Sequence, residues 1–278
     1  MTISRRRFLM IASAAVLAKP ARADAVWRGR ALGAEASIRL SGSGAEQAVA
    51  AALDTVRRME VLFSLHDPSS ALSRLNADGA LVMPPEFAAL MSRVDLVHRA
   101  TGGLFDPTVQ ARWRDLARGQ VGCGYVEGWL NLRIDGPRVA LPLGMQLTLN
   151  GIAQGFATDR VKQVLAVHGV TDVVVNIGEI AVGASPANIA IAGQPLRTLT
   201  LQDEAVATSD PDALRLVTGH HHILRPGRCD AGALGPVSVV APTACLADGL
   251  STALCQSDDP MLAAKLIRKG LARRIIRR

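Results

Sequence analysis

Apolar side chains recur every three or four residues from Ala45 to Leu65, at Val49, Leu53, Val56, Met59, Leu62 and Phe63, and this spacing predicts a long amphipathic helix. The turn cluster Asp67-Pro68-Ser69-Ser70 ends it. The same periodicity returns over Glu86 to Ala100, where Thr101-Gly102-Gly103 supplies the left-handed exit that helix C-termini favour, and over Ala153 to His168, closed by Gly169. Beyond Thr171 the period shortens. Thr171 to Ile177 reads as a buried strand, and Ile180 to Val182, Ala187 to Ala192, Leu196 to Leu201, Leu214 to Thr218, His221 to Leu224 and Pro236 to Val240 are short β-prone runs between Gly, Pro and Asp turns. Ala244 to Cys255 and Leu262 to Lys269 return to helical spacing, and Ala272 to Ile276 reads as a last strand. Helices first and hairpin-like strands afterwards predict an α+β fold: a mainly antiparallel sheet with flanking helices, in one domain or two intimately packed lobes.

The N-terminus stands apart from this pattern. Ser4-Arg5-Arg6-Arg7-Phe8-Leu9, the short apolar run Met10 to Ala18 and the A-x-A site Ala21-Arg22-Ala23 have the form of a Tat-type signal peptide over residues 1–23. A mature chain of residues 24–278, exported to the periplasm and not integral to the membrane, is expected. Removal of that segment changes the charge picture, since it holds five basic residues and no acid: the net charge of +7 falls to +2. The remaining excess is local to Lys265, Arg268, Lys269, Arg273, Arg274, Arg277 and Arg278, all beyond the last acid, Asp259. Aromatics are 3% of the chain, with no stacking platform or recognised motif, so nucleic acid is not an expected partner. The four cysteines, Cys123, Cys229, Cys245 and Cys255, lack metal-ligand spacing; an oxidising compartment permits a disulfide without saying which pair forms it.

Several segments carry candidate chemistry. Neither the dinucleotide fingerprint nor the P-loop pattern is present. Asn150-Gly151-Ile152-Ala153-Gln154-Gly155 lies between a predicted strand and a helix, where backbone amides can receive an anion or simply turn the chain. Gly103-Leu104-Phe105-Asp106-Pro107 sets an aromatic ring and a carboxylate on a proline-stiffened loop, or is an ordinary Asx turn after a helix cap. In His220-His221-His222 at most two rings share a strand face, which favours a surface cluster over zinc. On the helix Ala244 to Cys255, Asp248 and Thr252 stand four apart on one face and offer two hard oxygen ligands of the kind Mg²⁺ takes alongside phosphates.

Taken in order, these segments resemble the ApbE family, the FAD:protein FMN transferases. The resemblance rests on Leu32-Gly33-Ala34, Leu62-Phe63-Ser64 with Ser70-Ala71-Leu72-Ser73-Arg74-Leu75-Asn76, Gly102 to Thr108, Gly151 to Gly155, Ala207-Thr208-Ser209, His222-Ile223-Leu224, and Ala247-Asp248 with Thr252. It implies Mg²⁺-dependent transfer of FMN from FAD to a Thr or Ser hydroxyl of an acceptor flavoprotein, with release of AMP. It also implies Mg²⁺ held by Asp248, Thr252 and the carbonyl of Ala153, and FAD contacted by Leu32, His66, Leu104, Phe105, Asp106, Asn150, Phe156, Leu224 and Ser251, with Asp248 and His222 as catalytic residues. The form Leu147-Thr148-Leu149-Asn150-Gly151-Ile152-Ala153-Gln154-Gly155 resembles the exported NosX-like branch, whose implied acceptor is a membrane-bound protein of NosR/RnfG type. Thr148, Gln154 and Arg225 depart from the family's usual acid, Lys and Asp. A flavin-delivery protein without transfer activity and an FAD pyrophosphatase are the alternatives.

The export expectation has a direct test. Changing Arg5→Lys together with Arg6→Lys leaves precursor in the cytoplasm, because the Tat machinery reads the arginine pair as an address and not as bulk charge. Fractionation with an antibody to the mature chain checks it; undiminished periplasmic protein would mean a different route.

Overall fold

The computed structural model describes residues 25–41, 45–191, 197–228 and 233–277. The expected signal peptide, Cys229 and the run ends Ala192 and Leu196 lie outside them. The chain enters as a hairpin, β1 (Ala25–Ala31) and β2 (Ala34–Leu40), then forms helix α1 (Ala45–Phe63), α2 (Ala71–Asp78), β3 (Ala80–Val82), α3 (Pro85–Ala100) and α4 (Gln110–Ala117). Next come β4 (Arg133–Asp135), β5 (Arg138–Ala140), α5 (Ala153–Val167), β6 (Val173–Ile177), β7 (Ile180–Val182), β8 (Ala187–Ile191), β9 (Arg197–Leu201) and β10 (Ala205–Ser209). β11 (Val237–Ala241), α6 (Ala244–Leu254), α7 (Pro260–Arg268) and β12 (Arg274–Arg277) complete it. The main sheet runs β1-β2-β6-β7-β10-β11-β12, with every neighbouring pair antiparallel. This is the α+β architecture expected.

Strand alternation places the helical layer on one face of this sheet. Val173, Val175, Ile177, Val237 and Val239 point into the large core shared with α1, α3, α5 and α6, while Val174 and Val240 point the other way, against the β8–β9 hairpin. Both faces are therefore covered, which is why the strands read as nearly continuous apolar runs.

The N-terminal hairpin is an addition to the expected order of helices before strands. Its outer strand is largely exposed, and its turn is Leu32-Gly33, both at positive φ (47° and 82°), as a two-residue hairpin of this twist requires. Two other expectations are corrected. Leu214 to Thr218 and His221 to Leu224 are not strands: a single antiparallel bridge, Arg215 with His221, joins them through the bonds from Leu216 N to His220 O and from His222 N to Leu214 O, and Gly219 N to Leu216 O closes the turn between them. The apolar run Leu147 to Leu149 is extended and buried but belongs to no sheet, because the side-chain amide of Asn76 takes the place of a partner strand, donating to Leu147 O (2.8 Å) and accepting from Leu147 N (2.7 Å). Cys123 is disulfide-bonded; Cys245 and Cys255 are buried free thiols, the latter pushed up to about 12 by burial.

The junction of α5 and α6 fixes the geometry that follows. A Cβ at Gly155 would lie 2.3 Å from Ala244 O and 2.8 Å from Asp248 Cβ, so only glycine lets the helices approach this closely. Asp159 on α5 accepts from the amides of Ala244 (2.8 Å) and Cys245 (2.9 Å) at the start of α6, joined by the N-cap hydroxyl of Thr243. In return Asp248 Oδ2 on α6 accepts from the amide of Gly155 (3.0 Å) in the first turn of α5. Each helix caps the other.

Gly155→Ala is expected to destabilise the protein by about 2–3 kcal/mol through overpacking against backbone, read as a lower urea midpoint at unchanged m-value. The Asp159 carboxyl is pushed up from 3.8 to about 6 by burial, against the lowering effect of the two amides it caps. Its protonated form is thus favoured by folding, so its contribution to stability is full below about pH 4 and is lost as pH rises through about 6. Urea unfolding of wild type and Asp159→Asn between pH 4 and 8 checks the sign: stability of wild type relative to the variant declines across that window, and parallel profiles would remove Asp159 as the titrating group.

Candidate active site

A cleft opens where the loop after α3, the turn into α5, the ends of β7 and β10, the 214–224 segment and one side of α6 converge. Asp248, Thr252, Leu104, Phe105, Asp106, Asn150, His222 and Leu224, all singled out from sequence, line it together with Gln154, Glu179, Thr208, Ser209, Asp210 and Trp113. Ser251 sits one layer behind, fully buried, with its Oγ on Ser209 Oγ (2.8 Å). Leu32 is at the hairpin tip, outside the lining; Glu60 accepts from its amide (3.0 Å) and Gln154 donates to its carbonyl (3.4 Å). Phe156 packs in the core, edge-on to Phe63 at 5.9 Å, with the Arg160 guanidinium over its ring. His66 is exposed on the turn before α2, and Ala153 is buried at the first position of α5; neither is part of the lining. Arg225 is also outside the lining, and its carbonyl accepts from Arg112.

The donor set on α6 is made of hard oxygens. Thr252 Oγ1 lies 3.4 Å from Gly151 O and 3.3 Å from Ser209 Oγ, so the backbone carbonyl brought to Thr252 is that of Gly151. With Asp248 Oδ2 taken by the Gly155 amide, Oδ1 is the oxygen left for a ligand. Carboxylate, hydroxyl and peptide carbonyl suit Mg²⁺ and not a soft metal.

Charge points the same way. Four carboxylates line the cleft, those of Asp106, Glu179, Asp210 and Asp248, and no Lys or Arg is among its lining residues. Asp106 is committed to its own loop: Oδ1 accepts from the amide and hydroxyl of Thr108 (2.9 and 2.6 Å) and Oδ2 from the amide of Trp129 (2.9 Å). Glu179 is buried with its carboxyl pushed well above the ordinary range, first by desolvation and then by the charge of Asp248. Desolvation also raises Asp248, and Asp159 behind it adds to the effect. Two buried carboxyl groups facing one cleft, with no basic side chain among its described lining residues, disfavour being charged together, a cost that a proton or a cation relieves.

His222 presents different chemistry. Its Nδ1 is 3.1 Å from Leu214 O, and since a carbonyl can only accept, Nδ1 carries the proton and Nε2 is left as an acceptor. Burial lowers its pKa, which keeps the ring neutral and able to take a proton. His220 and His221 bond separately, to Thr218 Oγ1 and Pro211 O, and no cluster of three or more His, Cys, Asp or Glu positioned for a metal is found among the described residues.

The sequence reading missed Glu179, Asp210 and Trp113. Glu179 had a signal: it is the one charge in the apolar stretch from Val173 to Val182. Asp210 and Trp113 had none, because they join the cleft through irregular chain and a short helix.

Comparisons with known proteins find similar sequences and folds. The sequence model of the ApbE family matches residues 32–272. A curated relative, the FAD:protein FMN transferase of Treponema pallidum (strain Nichols), is 25% identical over 280 residues, covering 80% of this chain and 75% of the relative. Among solved structures, the apo flavinyl transferase ApbE of Pseudomonas stutzeri superposes with a TM-score of 0.77 at 24% identity, over 90% of each chain. The flavin transferase ApbE of Vibrio cholerae gives 0.76 at 20% identity, over 92% of this chain and 94% of that one. The ApbE protein of Thermotoga maritima gives 0.73 at 24%, over 91% and 93%.

Proposed function

The chain belongs to the ApbE family, and from that membership together with its acid-lined cleft we propose that it is an FAD:protein FMN transferase dependent on Mg²⁺. The observation that carries the metal dependence is the acid set: four carboxyl groups and, among the described residues, no Lys or Arg line the cleft that FAD's pyrophosphate has to enter. A doubly charged phosphate linkage is repelled from such a site unless a cation accompanies it. Asp248, Thr252 and a peptide carbonyl from the Gly151–Ala153 turn would hold that cation, whose part is to offset charge on the phosphates and on the departing AMP.

The chain's own groups account for the rest. Leu104, Phe105 and Leu224 offer an apolar surface to the isoalloxazine ring, and Asn150 a polar edge. His222 Nε2 takes the proton of the acceptor's Thr or Ser hydroxyl as that oxygen bonds to the FMN phosphorus and the bridging P–O bond to AMP breaks. The acceptor leaves with FMN in phosphoester linkage. We further propose that the mature chain works in the periplasm and that its acceptor is a membrane-bound flavoprotein of NosR/RnfG type. No helix among the described residues is long and apolar enough to cross a membrane.

The test is to incubate residues 24–278 with FAD, Mg²⁺ and a NosR/RnfG-type acceptor domain and to weigh the acceptor. A mass increase of one FMN residue supports the proposal. Free FMN and AMP with unlabelled acceptor would make the protein a pyrophosphatase, and FAD bound but intact would make it a carrier.

Asp248→Asn is expected to lower transfer by about 100-fold or more, the size of effect seen when one preorganised charge-stabilising group is removed. It should also abolish Mg²⁺-dependent thermal stabilisation of the flavin-free protein, while the amide oxygen still caps Gly155 and the fold holds. Thr252→Ala is expected to lose less, since water replaces a neutral ligand. Unchanged transfer by Asp248→Asn at limiting Mg²⁺ would refute the assignment.

A further inference from the structure

The segment from Leu214 to Arg228 supplies one wall of the cleft, through Leu214, His222, Ile223 and Leu224, yet it contains no helix or strand. Chain of this kind holds one shape only if something else fixes it. The fixing element is α4, a two-turn helix on the other side of the wall. Arg112 on α4 is 4% exposed and has every guanidinium nitrogen engaged. Nε and Nη2 donate to Glu127 (2.8 and 3.3 Å), Nη2 also donates to Arg225 O (2.7 Å), and Nη1 donates to Arg228 O. Glu127 closes the loop by accepting from the amide of Gly227 (2.8 Å). One residue along, Trp113 Nε1 donates to His222 O (2.9 Å), and Val109 and Leu116 pack against Leu216 and Leu224.

We propose that the Arg112–Glu127 pair is a positioning clasp that holds the 222–228 wall in the conformation that receives the flavin. The proposal rests on the FAD-binding reading above. Arg112 does not line the cleft, so it touches no substrate; it acts through the backbone of Arg225, Gly227 and Arg228. The planar fork of arginine is required, since one side chain must bind a carboxylate and two carbonyls at once, and lysine's single ammonium does not reproduce that geometry. The pair is buried, with side chains 5% and 9% exposed. Removing one partner alone strands a buried charge and risks the fold, whereas replacing both with apolar residues of similar size is tolerated in such sites.

The decisive variant is therefore Arg112→Met combined with Glu127→Leu, with Arg112→Lys as the conservative companion. Two readouts are taken on the full mature protein. Hydrogen exchange without ligand reports the wall itself: the amides of 222–227 are expected to exchange at least about tenfold faster in the double variant, while those of β6 and α6 are unchanged. Fluorescence titration with FAD reports the consequence: the dissociation constant is expected to rise about tenfold in the double variant and by a smaller factor in Arg112→Lys, because binding then has to order the wall. Ile189→Ala, which weakens the core between the sheet and the β8–β9 hairpin, where no residue lines the cleft, serves as a control for stability alone and should leave FAD affinity at the wild-type value. Unchanged exchange over 222–227, or faster exchange with unchanged FAD affinity, overturns the clasp. Failure of the wild-type protein to bind FAD overturns the functional reading instead, with the exchange arm still deciding whether Arg112 and Glu127 fix the wall.

Discussion

The structure turns on two helices that cap each other. Asp159 of α5 answers the free amides at the start of α6, and Asp248 of α6 answers the Gly155 amide in the first turn of α5. Helix N-termini carry partial positive charge and unpaired donors, so a carboxylate at each is favourable. Here both acids are buried, and the cost of desolvation raises both above the ordinary range. The arrangement survives because it is over-determined: Gly155 permits the contact, Thr243 adds a cap, and α6 is apolar or small almost all round, sealed between the sheet and the helical layer.

This clasp decides what the cleft can bind. The Gly155 amide in the first turn of α5, which the sequence offers as an anion receptor, is already satisfied by Asp248. The local field at the turn from Asn150 to Gly155 is thus set by a carboxylate and not by a bare helix dipole. Add Glu179 from the turn before β7 and Asp210 after β10, and an anionic substrate meets an acid-rich lining in which the buried Glu179 and Asp248 favour neutralisation by protons or a cation. The proposed cation follows from how α5 and α6 pack, and one of the residues that would hold it, Asp248, is also one that holds the helices together.

How much of this was legible in the sequence follows from how local each feature is. α1, α3, α5, α6 and the strands β6 to β9 and β11 announce themselves through periodicity because each buries a continuous face; their bounds shift by only a residue or three. Asp248 with Thr252 was legible because helical spacing alone puts both on one side. The hairpin β1–β2 was only half legible: its outer strand is largely exposed and shows no apolar alternation, whereas Ala36, Ile38 and Leu40 of the inner strand alternate with polar residues and are buried. The 214–224 run was misread as strands because β-prone residues were present while their ladder partners were not, and that is a tertiary fact. Phe156 was matched to the flavin by position in a motif, yet its ring packs on Phe63 in the core.

The two sides of the cleft are consequently held by different means. On one side, Asp248 and Thr252 ride on helix backbone locked by close packing, with Gly151 in the turn before α5, and a displacement would have to move α6 against the sheet. Opposite, His222, Ile223 and Leu224 ride on irregular chain whose shape is borrowed from α4 through Trp113 and Arg112. A site for charge tolerates little movement, because electrostatic stabilisation depends on preorganised distance. A wall that must admit a large planar ring, and on the proposed reading an acceptor segment beside it, can be set by a few replaceable ties. The regular elements thus hold Asp248 and Thr252, while irregular chain holds Asp106, Glu179, Asp210 and His222, and that part of the cleft owes its shape to ties from neighbouring elements.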